Sequence, residues 1–206
     1  MRKHIRAAVA AALLFCGLSA AIGLRAVASN DLSLGTQPVE DASEATFEKF
    51  LDQLMRAESN GRDEAANPRS TALGAFQFIK STFRSIARAH FVREVAELSD
   101  EQLLALRTNR DFARRAAAAY CRENAAYLQQ QGLRPTFGHL RLAYLLGAGG
   151  AAKVLKAPPQ TALADILGVS VLRANPFMKG KTAVNLIERA VRDIEPRVDV
   201  ASSSQD

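Results

Sequence analysis

Phe47-Glu48-Lys49-Phe50-Leu51-Asp52-Gln53-Leu54-Met55-Arg56-Ala57-Glu58-Ser59-Asn60-Gly61 is the stretch that decides the fold class of this chain. Phe47, Phe50, Leu51, Leu54 and Met55 recur at the spacing of an amphipathic helix. A helix is expected over residues 41–58, with Asp41 and Glu44 in capping-box-like spacing at its start. Asn60-Gly61 stops it. Glu58 lies four residues after Leu54, seven after Leu51 and eleven after Phe47, so it falls on the apolar stripe. A carboxyl there has an apolar floor on one side and an open loop on the other, and apolar burial raises the pKa of an acid. The plainer reading is a Glu at the edge of the stripe, turned to water, and periodicity alone favours it. An acid at a helix C-terminus is also electrostatically unfavourable, which makes Glu58 an odd choice for stability.

Working outward, Arg62 to Leu73 is a polar loop containing Asn67-Pro68. Phe76, Phe78, Ile79, Phe83, Ile86 and Ala87 predict one or two short helices. Ser99 with Gln102 is a capping-box pair opening a short helix to about Arg107. Arg110 to Gln131 reads as a long Ala-rich helix ended by Gly132 and Pro135. Further helices are expected over 137–146, 151–157, 161–167 and 182–194, with a sharp joint at Gly147-Ala148-Gly149-Gly150. No strand ladder and no internal repeat is visible. The chain of 206 residues has 48% hydrophobic and 23% charged residues and no Trp, as expected of a soluble, helix-leaning globular protein. The expectation is an all-α, mainly α-helical single domain over residues 43–196. A flexible linker (29–42) precedes it and a disordered tail (197–206) follows.

Residues 1–28 read as a secretory leader. Arg2, Lys3 and Arg6 precede an apolar run from Ala7 to Leu24, and Ala26-Val27-Ala28 has the small-x-small pattern of a cleavage site. The alternative is a retained anchor, for which the run is short. Phe15 before Cys16 argues against a lipidation site. The leader directs the chain to the periplasm, with cleavage near Ala28. Removing its four basic residues from 27 leaves 23 against 21 acids, so the formal charge falls from +6 to +2. That is too mild to argue for nucleic acid. Cys121 is then the one remaining cysteine, so no intramolecular disulfide is expected, and its Ala-rich surroundings read as core. His4, His90 and His139 are scattered and form no metal-ligand pattern. Neither metal nor cofactor is implied.

The residues around Glu58 carry more than periodicity does. Glu58-Ser59 is followed by Ser70-Thr71-Ala72-Leu73-Gly74-Ala75-Phe76-Gln77-Phe78. This pairing of a Glu-Ser at a helix end with a downstream Ser, Gly and Gln between apolar residues resembles the soluble lytic transglycosylase domain. That domain belongs to the lysozyme-like superfamily, with goose-type lysozymes among its relatives. Ser70, Gly74 and Gln77 fall on the second motif. Ala143-Tyr144-Leu145-Leu146-Gly147 resembles the third, with Leu145 where the family usually has Asn. The Leu-Gly-x-Gly-Gly-Ala run ending at Ala151 is similar to one subgroup. The resemblance spans about residues 45–195.

The resemblance implies a lysozyme-like domain that cleaves peptidoglycan glycan strands, with Glu58 as acid and then base. It implies Ser59, Ser70, Gln77 and Tyr144 as substrate-binding residues that orient the sugar by hydrogen bonds. No second protein carboxylate is required, because the substrate's own acetamide stabilises the developing cation. Two rival readings stand beside it. A hydrolytic muramidase needs a second carboxylate to activate water, and Asp63 or Glu64 is the nearest in sequence. A non-catalytic scaffold would bind peptidoglycan without cutting it. The class of protein suggests an envelope-spanning secretion or flagellar apparatus as a partner. Each matching residue also has a structural reading: a helix cap for Ser70, close packing for Gly74, a surface amide for Gln77, and a core hydroxyl for Tyr144.

Overall fold

A computed structural model describes residues 33–196. The expected leader, its cleavage site, Cys16 and the tail over 197–206 lie outside the described residues. Within them the chain is all-α, with ten α-helices, three short 3-10 turns and four isolated bridges in place of any strand.

Helix α1 (Glu44–Ser59) starts at Ser43, whose hydroxyl accepts from the Thr46 N–H at 3.2 Å. The expected Asp41–Glu44 box is therefore displaced by two residues, because Ser43 puts its oxygen within reach of the third amide of the helix. Phe47, Phe50, Leu51 and Leu54 are buried, as the spacing predicts. Phe50 stacks on Phe137 with ring centroids 4.9 Å apart. Helix α2 (Lys80–His90) buries Phe83, Ile86 and Ala87, and it starts later than the apolar cluster at 76–79 suggests. A four-residue turn of helix, α3 (Val92–Val95), escapes the sequence reading for want of a full period. Helix α4 (Asp100–Ala105) has the Ser99–Gln102 capping box in full.

Helix α5 (Arg110–Gln130) runs through the domain. Ala113, Ala116, Ala117 and Cys121 are fully buried along it, because small side chains let neighbouring helices approach. Cys121 is a free thiol whose pKa is pushed up by that burial. Arg114 ties α5 to α1 through Glu48 and Asp52 at 2.6 and 2.7 Å. Helix α6 (Phe137–Leu146) follows, and Gly147 joins it to α7 (Ala148–Lys156). The joint is one residue long, and Gly149, Gly150 and Ala151 are already helical. The chain ends in α8 (Leu163–Leu167), α9 (Val169–Ala174) and α10 (Ala183–Ile194). Helix α9 lacks buried residues and so left no periodic pattern to read. Helix α10 packs on α6, α1 and α7. None of the described helices is long and apolar enough to cross a membrane.

The expected flexible linker is corrected from Ser33 onward. Gly35 is buried under α10, its N–H donates to the Glu195 carboxylate at 2.8 Å, and a Cβ added there would meet Val191 at 2.7 Å. Pro38 pairs with Thr136 in an isolated bridge, and the Val39 N–H donates to the Pro135 carbonyl at 3.0 Å. A polar segment without periodicity can still be ordered when its backbone groups find partners elsewhere in the chain.

Candidate functional site

Glu58 is the last residue but one of α1. Asn60 caps that helix in the left-handed conformation, φ 56°, and its N–H donates to the Arg56 carbonyl at 2.9 Å. Residues 61–79 then fold back across the end of α1 as a loop without regular structure. Three buried anchors shape it.

The first is Ser59. Its hydroxyl donates to the Ala75 carbonyl at 2.7 Å and accepts from the Arg62 N–H at 3.1 Å. The side chain is buried. Ser59 is thus spent on the loop, and its expected substrate contact is corrected to a structural one. The second is Gly74, at φ 89°, where an added Cβ would lie 1.9 Å from the Arg107 carbonyl oxygen. Only a residue without a side chain fits such a backbone approach in the left-handed region. The third is Arg107 itself. Its guanidinium donates to the carbonyls of Leu104, Thr71 and Phe78 at 2.9, 2.6 and 3.2 Å.

The loop delivers Gln77 to a cleft. Gln77 holds φ 48°, a conformation uncommon for a residue with a side chain. Its amide nitrogen donates to the carbonyls of Ala65 at 2.7 Å and Gly74 at 3.0 Å. Both amide protons are thereby used, so the side-chain oxygen is left as an acceptor for a ligand. The cleft has a volume of about 380 Å3 and is lined by Glu58, Gln77, Phe78, Ile79, Thr82, Tyr120, Tyr144, Leu145, Leu146 and Gly147. That volume is within the range of small-ligand sites, roughly 300–1,000 Å3. Phe78, Tyr120 and Tyr144 form one aromatic wall, with centroids 5.7 Å apart for Phe78–Tyr144 and 5.4 Å for Tyr120–Tyr144.

Tyr144 lies where a core residue meets the cleft. Its hydroxyl donates to the Phe76 carbonyl at 2.8 Å, and its ring lines the cleft. Burial, and after it the Glu58 charge, push its phenol well above the usual range, so it stays neutral. Leu145 also lines the cleft.

Glu58 is largely buried, its side chain 16% exposed. Burial raises its pKa and is the largest effect. Against it, Arg141 lowers the value through its charge and its hydrogen bond, and Asp193 adds a smaller upward push. Arg141, on α6, donates from Nη1 to Oε1 of Glu58 at 2.5 Å. Its other edge faces α10, donating from Nη2 and Nε to Oδ2 of Asp193 at 3.1 and 3.3 Å. Sequence reading missed both partners. Arg141 had one legible signal, a lone cation in the otherwise uncharged α6, three residues before Tyr144. A charge buried among apolar residues calls for a carboxylate. Asp193 had none, because its role depends on how α10 packs on α6. Tyr120 and Thr82 were missed for the same reason.

The structure places the other named residues away from the cleft. Ser70 is exposed on the loop, its hydroxyl accepting from the Ala72 N–H at 3.1 Å, and it is not among the residues lining the cleft. Its short local turn satisfies it in place. Asp63 and Glu64 line a separate surface depression with Arg62 and Ala65. Asp63 is paired there with Arg110 at 2.9 Å. Among the described residues lining the cleft, Glu58 is the one carboxylate, and no group of His, Cys, Asp and Glu among the described residues could hold a metal ion. The chain matches no protein-family model, and no curated protein is significantly similar to it.

Proposed function

We propose that this chain is a peptidoglycan-cleaving enzyme of the lytic transglycosylase type, with Glu58 as acid and then base. One observation carries the reading: a carboxyl with a raised pKa lies on an aromatic-lined cleft in which no other described lining residue is a carboxylate. An acid whose pKa is raised by burial holds its proton to higher pH than an exposed one, and so is better placed to hand it to a glycosidic oxygen. That Glu58 is the one carboxylate among the described residues lining the cleft favours a reaction that needs no activated water.

In the proposed reaction Glu58 protonates the oxygen between N-acetylmuramic acid and N-acetylglucosamine, and that C–O bond breaks. The substrate's acetamide stabilises the cation. Glu58, now a carboxylate, takes the proton from the sugar's 6-hydroxyl, whose oxygen closes a 1,6-anhydro ring. Proton count is conserved, and water is not consumed. Gln77 accepts a hydrogen bond from the sugar, and the Phe78–Tyr120–Tyr144 wall packs on it. Tyr144 has its hydroxyl proton committed to Phe76, so toward substrate it too can only accept. A leader-like start, expected over residues 1–28, supports a periplasmic location where the substrate lies.

Digesting purified peptidoglycan and weighing the fragments tests this. Anhydro ends, lighter by one water, support the transglycosylase. Reducing muramic-acid ends give the hydrolase, and intact glycan gives the binding scaffold.

A further inference from the structure

Helices α1, α6 and α10 each contribute one charged side chain to a row that ends at the cleft. Asp193 on α10 is 24% exposed, Arg141 on α6 is 8% exposed, and Glu58 on α1 is 16% exposed. The guanidinium is shared edge by edge. Nη1 serves Oε1 of Glu58 at 2.5 Å, and Nη2 and Nε serve one oxygen of Asp193 at 3.1 and 3.3 Å. An arginine side chain has donors only. Oε1 must therefore accept from Arg141 in either protonation state of Glu58. When Glu58 is neutral its carbonyl oxygen is the stronger acceptor, so the bond from Arg141 to Oε1 favours the proton on Oε2, and Oε2 makes no hydrogen bond to another described residue.

We propose that Arg141 and Asp193 are positioning residues for the Glu58 acid: Arg141, held by Asp193, occupies Oε1 and so places the transferable proton on Oε2. The inference rests on the reading of Glu58 as the proton donor. It gives the cation beside this acid a role. The guanidinium sets which oxygen carries the proton, and Asp193 offsets the positive charge that would otherwise strip that proton away. Burial and the Asp193 charge push Glu58 in the same direction, upward, against Arg141. The other ionisable groups coupled to this row are the Tyr144 phenol on α6 and the Cys121 thiol on α5, both raised by burial and so neutral; Tyr120 on α5, also raised by burial, acts on Tyr144. Arg189, also on α10, reaches Asp193 only at 3.9 Å.

Two variants test it, both in the full chain. In Asp193→Asn the offsetting charge goes while the side chain keeps its shape. Carboxyl 13C resonances identify Glu58 by their loss in Glu58→Gln. The expected result is a Glu58 titration midpoint at lower pH than in the wild type, with the alkaline limb of wall-degrading activity moving the same way. Asp193→Glu should restore both. In Arg141→Lys, one donor point replaces a two-edged fork, and kcat should fall by about 10²-fold with KM little changed. A folded Asp193→Asn protein whose Glu58 midpoint is unmoved overturns the inference, whether or not the wall is cut. So does a folded Arg141→Lys protein with wild-type kcat. The enzymatic reading fails by a different result: no fragments from the wild type, or equal fragments from Glu58→Gln.

Discussion

Tyr144 donates its hydroxyl proton to the carbonyl of Phe76 at 2.8 Å, and this single bond ties α6 to the loop that carries Gln77. The bond links the two walls of the cleft, and the phenol ring packs against Phe78 and Tyr120. Tyr144→Phe keeps the ring but leaves the Phe76 carbonyl without that partner. The variant should fold and lose about 1–3 kcal/mol of stability, read by denaturant unfolding, and KM should rise more than kcat falls.

Glu58→Gln should fold as the wild type does and lose nearly all wall-degrading activity. The amide keeps the shape and can still accept from Arg141, but it has no transferable proton. Residual clearing of peptidoglycan suspensions at the wild-type rate would move the chemistry to another residue.

The same variant should differ in its pH–stability profile. The pKa of Glu58 is raised above the ordinary value of 4.5 by burial. Between the unfolded and folded values the native state binds more protons than the unfolded chain, so stability falls as pH rises through that window. Glu58→Gln removes this dependence. Its melting temperature should exceed that of the wild type near neutral pH, and the gap should close as pH falls below the ordinary glutamate value.

Asp63→Asn and Glu64→Gln should leave turnover close to that of the wild type. Both residues lie outside the cleft, and Asp63 is engaged with Arg110. A general base is worth about 10²–10⁴-fold. A loss of that size in either variant, with its fold intact, would restore the hydrolytic reading.

Gly74→Ala should be the most damaging small change in the loop. The new Cβ meets the Arg107 carbonyl at 1.9 Å, and the residue sits at φ 89°. Left-handed strain and overpacking together should cost about 3 kcal/mol. Activity should fall with it, because Gln77 takes its amide contacts from Ala65 and Gly74.

The sequence by itself determined most of the helices. Where apolar residues repeat clearly at helical spacing, as Phe47, Phe50, Leu51 and Leu54 do in α1, those residues are buried, since burying one face is what makes such a helix favourable. The Ser99–Gln102 box and the Asn60-Gly61 stop were equally legible, because capping is a local contact. So was the setting of Glu58 between an apolar stripe and a break. The packing decided the rest. Helix α9 and the segment before α1 carry no periodic pattern, and the latter is held largely by partners distant in the chain, among them Arg134, Pro135 and Glu195. Ser59, Ser70 and Gln77 have similar claims in the sequence, and only the fold separates them. Ser59 is consumed by Ala75, Ser70 is satisfied in its own turn, and Gln77 alone reaches the cleft. Arg141 and Asp193 lie 83 and 135 positions beyond Glu58 in the chain. A linear pattern records which residues share a helix face, whereas a charge row across three helices exists only once those helices are packed together.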